Sequence, residues 1–161
     1  MRIDLQISAW AYIMGAAGIL ILPLDVVTAV VCAAAIHEIA HILILRIYRV
    51  PFCRITVGLC GARIQARDMS AMEEMLCAAA GPAGSLSLLV LSDIFPLLAL
   101  AGLIHGIFNL IPIYPMDGGR VLRAGLCLLF PRKGKQLATW IGIGVVIAAM
   151  MWIGIRTDVF I

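Results

Sequence analysis

Apolar residues in this chain neither alternate nor keep to one helical face. They run almost unbroken for about twenty positions at a time, separated by short polar clusters. Runs of that length match the roughly 30 Å hydrocarbon core of a bilayer, crossed at 1.5 Å per helical residue. Inside a bilayer only helices and closed barrels satisfy their own backbone, and long unbroken runs select helices over the short alternating strands of a barrel. The pattern predicts spans over about 7–24, 25–46, 71–91 and 137–155, with a further segment from about 97 that does not run cleanly. In that fourth segment Pro112, Pro115, Asp117, Gly118 and Gly119 interrupt the apolar sequence, and a helix is expected to resume near Gly118 and end near Phe130. Irregular backbone at membrane depth is tolerated only where protein or a wet cavity surrounds it. Residues 47–70 change character after Pro51. The β-branched stretch 54–66, punctuated at Gly61, reads either as a short hairpin of two strands or as an amphipathic loop at the interface. The fold class expected is an all-α polytopic membrane protein of five crossings, six if the broken segment counts twice, with a short membrane-associated β-hairpin after the second helix.

Composition agrees. Of 161 residues, 63% are hydrophobic and 13% charged, with mean hydropathy +1.09. About half apolar is usual for a soluble domain. The net charge of +3 matters less than its placement: Arg46, Arg49, Arg54, Arg63 and Arg67 crowd one loop and Arg132, Lys133 and Lys135 another. Positively charged loops stay cytoplasmic, which puts the N-terminus inside and the C-terminus outside. The arginines read as membrane anchors, and no nucleic-acid partner is expected. The first run could pass for a signal peptide, yet no clear small-residue cleavage site follows it, so it is expected to be a retained helix. No CxxC pair occurs among Cys32, Cys53, Cys60, Cys77 and Cys127. The three in apolar runs read as small hydrophobes, and Cys53 and Cys60, on the reducing side, as unpaired thiols.

The chemistry lies in His37-Glu38-Ile39-Ala40-His41, within the second run. Spacing of i, i+4 puts both imidazoles on one helical face, where they can reach one zinc ion, and Glu38 is placed to deprotonate a water there. Three ionisable residues in a membrane segment are expensive to bury, so a functional site is the default reading. The motif sits in the last half of the run, nearer the arginines, so the site should open toward the cytoplasm. Catalytic zinc usually has three protein ligands. Asp117, a carboxylate in the broken segment, is the obvious third, and His105 is the reserve, lying four residues before Asn109 on one face. The small-residue stretch Ala79-Ala-Gly-Pro-Ala-Gly-Ser85 reads as helix packing rather than chemistry.

Taken in order, HEIAH, AGPAGS and Asn109-Leu-Ile-Pro-Ile-Tyr-Pro-Met-Asp-Gly-Gly-Arg120 resemble the site-2 protease (M50) family of intramembrane zinc metalloproteases. The last motif is similar to that of the sporulation stage IV FB branch. The resemblance covers roughly 30–125 and implies one transmembrane metalloprotease domain over 1–161, with a core of about 26–130. It implies one Zn2+ on His37, His41 and Asp117, with Glu38 catalytic and Asn109 and Pro112 contacting substrate. It implies strands after the zinc helix that engage substrate, which fits 54–66. The partners implied are the lipid bilayer, a regulatory membrane partner and a membrane-protein substrate entering laterally. That substrate would be a tethered transcription regulator such as a pro-sigma or anti-sigma factor, cleaved in a bacterial cell membrane. No CBS or PDZ domain is expected in this sequence, in contrast to other members. Two readings compete: a non-enzymatic metal-binding membrane carrier, which gives Glu38 no task, and a degenerate scaffold, which the intact motif residues oppose.

Overall fold

A computed structural model of the chain describes residues 4–7, 9–58, 61–66 and 69–156. The chain is helical over most of them. In order run strand β1 (Asp4–Ile7), helices α1 (Ala9–Ile21) and α2 (Leu24–Ile47), strands β2 (Phe52–Gly58) and β3 (Gly61–Ala66), then α3 (Ala71–Ser87) and a 3-10 turn over Leu88–Leu91. The remainder is α4 (Pro96–Asn109), α5 (Asp117–Leu129) and α6 (Gly134–Arg156). Among the described residues, three helical stretches are long and apolar enough to cross a membrane: Leu24–Ile47, Ala71–Leu91 and Gly134–Arg156.

The first predicted span differs from expectation. β1 precedes it, ending at Ile7, and α1 has 13 residues, about 20 Å at 1.5 Å each and short of a full crossing. The alternation Asp4-Leu5-Gln6-Ile7 pairs parallel with β2, from Asp4 opposite Arg54 to Ile7 opposite Val57. β2 in turn pairs antiparallel with β3, Ile55 opposite Ile64 and Gly58 opposite Gly61, so the order is β1-β2-β3. Cys60 and Arg67 lie outside the described residues, as do the side chains of Cys53, Arg54 and Arg63.

The chain divides into two compact units. The first comprises residues 1–69 and 80–108. Its axis is α2, in which Ala29, Ala33, His37, His41 and Leu45 form one buried line four residues apart. Val30, Val31, Ile39, Leu43 and Ile47 are apolar and exposed on the other faces, as expected of a helix meant for lipid. α2 stops where Arg49 takes a left-handed conformation (φ 54°), with Val50 N–H donating to Leu45 O. In the same unit α4 carries a buried stripe of Ala99, Gly102 and Gly106. A Cβ on Gly102 would meet Ser85 O at 2.6 Å, and one on Gly106 would meet Ser85 Cβ at 3.2 Å. The missing side chains let the two backbones close on each other.

The second unit comprises residues 70–79 and 109–161. Ser70 and Glu73 form a capping box at the start of α3: Glu73 N–H donates to Ser70 Oγ, and Ser70 N–H donates to Glu73 Oε2 at 2.8 Å. α5 and α6 pack against each other after the turn at Pro131–Lys133. Between α4 and α5 the chain is irregular over 110–116 and folds back on the start of α5, where Gly118 and Gly119 admit it. A Cβ at Gly118 would lie 2.8 Å from Ile111 O, and one at Gly119 2.7 Å from Ile113 O.

Candidate metal centre

His37 and His41 sit on the buried line of α2, 2% and 5% exposed. Their Nε2 atoms are 3.1 Å apart. Two nitrogens each 2.0–2.1 Å from a tetrahedral zinc would lie about 3.3 Å from each other, so this spacing suits a shared ion. Across from them is Gly81 of α3. A Cβ there would stand 2.6 Å from His37 Nε2 and closer still to His41 Nε2. The glycine leaves open the small space that both nitrogens face, and any other residue would fill it.

The AGPAGS stretch therefore does more than pack helices. Ser85, completely buried, has its Oγ 2.9 Å from His37 Nδ1. Gly84 lets α2 approach, since a Cβ on it would come within 2.8 Å of Ala40 Cβ. Sequence reasoning missed Gly81 and Ser85 as site residues. His105, on α4, sets its ring edge-on to His37, with centroids 4.6 Å apart and planes at 83°. Glu38 is half-buried and follows His37 directly on α2.

Other predicted site residues belong to the second unit. Asp117 opens α5, is 6% exposed, and accepts from Arg120 Nη1 at Oδ1 over 3.2 Å. An anion is favoured there by the helix dipole as well as by the guanidinium. Asn109 is the last residue of α4 and is half-buried. Pro112 lines a cleft of about 310 Å³ with Ile113, Tyr114, Arg123, Thr139 and Gly142. The Arg123 guanidinium lies over the Tyr114 ring, 5.3 Å from its centroid.

A family model, that of Peptidase family M50, matches residues 64–151, more than half of the chain. The match takes in Ser85, Asn109, Pro112 and Asp117 and begins after the HEIAH motif. The chain is 31% identical over 125 residues to a zinc metalloprotease of Methanocaldococcus jannaschii, an alignment covering 68% of this chain and 37% of the relative. It thus spans little more than a third of that relative's length. Among solved structures it resembles the site-2 protease from Methanocaldococcus jannaschii, with a TM-score of 0.69 over 98% of this chain and 83% of that one. At 24% identity that likeness establishes the fold.

Proposed function

The chain belongs to Peptidase family M50, and from that premise we propose that it is an intramembrane zinc metalloendopeptidase. Family and apolar helices together make it an integral membrane protein. The observation that carries the proposal is the pair of buried Nε2 atoms turned to one small space above Gly81. Zinc would be held by His37, His41 and Asp117, all buried, each offering one ligand atom. When bound, it supplies a Lewis acid for the attacking water and the scissile carbonyl. Glu38 takes the proton of that water on its carboxylate and returns it to the leaving amine nitrogen, so that a carboxylate and an amine replace the peptide bond. Asn109 and Pro112, at the entry to the broken segment, contact the substrate.

The substrate is a membrane-tethered protein cut in or near its transmembrane segment. β3, at the edge of the described sheet, offers an unpaired strand edge to which such a substrate adds in extended form. We place the chain with the sporulation branch on the motif from Asn109 to Arg120, and its substrates with pro-sigma-type or anti-sigma regulators. The site opens to the cytoplasmic side of a bacterial cell membrane, since HEIAH lies in the half of α2 that leads to Arg46 and, just past the helix, Arg49.

Zinc content and cleavage of a pro-sigma-type membrane substrate, measured for wild type and Glu38→Gln in parallel, test this reading. About one zinc per chain in both, with cleavage in wild type alone, is expected, because the variant keeps the ligands and loses the base. Zinc in both with cleavage in neither, across a panel of membrane substrates, would point to a metal carrier or scaffold.

A further inference from the structure

We infer that Ser85 is a positioning residue for His37: its hydroxyl accepts the Nδ1 proton and so presents a bare Nε2 to the metal. A metal-ligating histidine almost always commits its second ring nitrogen to a hydrogen bond, which fixes both the tautomer and the ring angle. In His37 the nitrogen placed to do this is Nδ1. Its Nε2 faces His41 Nε2 at 3.1 Å and the space above Gly81, leaving Nδ1 to meet Ser85 Oγ at 2.9 Å. The proton placement is consistent along the line. With Nδ1–H of His37 donating to Ser85, its Nε2 accepts from His41 Nε2–H while no metal is present.

Ser85 is well held for this task. It is completely buried, and the α4 glycines at 102 and 106 press that helix onto its carbonyl oxygen and its Cβ. The hydroxyl therefore cannot swing away to solvent. The ring of His37 is also flanked by the edge-on ring of His105. The imidazole is thus fixed by a hydrogen bond from α3 and a ring contact from α4, both on residues of the first unit. A serine in a small-residue stretch acquires a second duty, which is to orient a ligand donated by a different helix. The inference rests on the metalloprotease reading for the identity of the ion, but not for the hydrogen bond.

The test uses the full chain in detergent micelles, comparing wild type with Ser85→Ala, Ser85→Thr and Ser87→Ala. Ser87 sits one half-turn on and donates Oγ–H to Gly84 O at 2.7 Å, so losing it removes a hydroxyl from α3 without touching His37. Zinc affinity is read by chelator competition, and the imidazole tautomers by 15N NMR of histidine-labelled, metal-free protein. Ser85→Ala should bind zinc roughly 10–100-fold more weakly, the usual penalty for losing such a partner. It should also replace the single Nδ1–H form of His37 by a mixture, while Ser85→Thr restores both readouts and Ser87→Ala changes neither. Wild-type affinity in Ser85→Ala, or a wild-type His37 in the Nε2–H form, would overturn the inference. If wild type bound no zinc yet Ser85→Ala still released the tautomer, the positioning role would stand and the metalloprotease reading would fall. Helix content by circular dichroism separates these outcomes from misfolding, and an alanine variant that folds settles the matter even if the threonine does not.

Discussion

Asp117 and Arg120 share the first turn of α5, and the guanidinium occupies one carboxylate oxygen at 3.2 Å. A carboxylate has two oxygens and about four acceptor directions, so a guanidinium and a cation can share one. In the proposed site Asp117→Asn keeps the shape and loses the charge. Zinc affinity and cleavage should then fall together by roughly tenfold or more, since a direct ligand weighs at least as much as the partners that orient one. Metal titration of the variant checks this, and unchanged binding would move the third ligand elsewhere, with His105 first in line. Residues of this kind differ in how openly the sequence displays them. His37, Glu38 and His41 are legible because their relation is local and their apolar flanks make them costly. Ser85 is not. Its partner is 48 residues away, and a serine among alanines and glycines has no periodic signature beyond close packing. His105 reads in the sequence as a reserve ligand, and in the structure its ring lies edge-on to that of His37.

At the scale of elements, the helices announce themselves because burial in lipid demands length, and α2, α3 with its 3-10 turn, and α6 fall within a few residues of the runs that predict them. Punctuation places the break between α4 and α5 equally well, from Leu110 to Met116, since Pro112, Pro115 and the Gly118-Gly119 pair are local signals. β1 was missed for the opposite reason. Four residues beside a long apolar run carry too little alternation to stand out, and the strand exists through its pairing with β2, Asp4 opposite Arg54. The irregular segment makes a sharp demand on the first turn of α5, where Gly119 faces Ile113 O and the Tyr114 backbone. Gly119→Ala forces a methyl group against main chain that has no flexible tip to move. It should destabilise the fold by about 1–3 kcal/mol, the ordinary cost of overpacking. Unfolding midpoints in mixed micelles read this directly, and a midpoint equal to wild type would mean that the 110–116 backbone yields freely.

For the whole molecule the open quantity is how many times the chain crosses the bilayer. α4 has 14 residues and α5 has 13, so at 1.5 Å each they reach about 21 and 20 Å, and neither covers a 30 Å core by itself. Counted as one crossing, as the sequence pattern predicts, their combined length suffices, and the stretch from Asn109 to Asp117 is then expected to be a break at membrane depth. On that count the charge rule expects the arginines around residue 49 and the cluster Arg132, Lys133 and Lys135 on the same side of the membrane. Counting α4 and α5 as separate crossings would put the two clusters on opposite faces, against the charge rule. Single cysteines in a cysteine-free background decide between the two: Arg49→Cys, Ser92→Cys and Lys133→Cys, labelled with a membrane-impermeant maleimide in right-side-out and inverted vesicles. Positions 49 and 133 should label together from the cytoplasmic face, and position 92, in the turn before α4, from the other. Labelling of 49 and 133 from opposite faces would make the broken segment two crossings, and Asp117 would then stand near a membrane surface, where a buried carboxylate needs no metal to explain it.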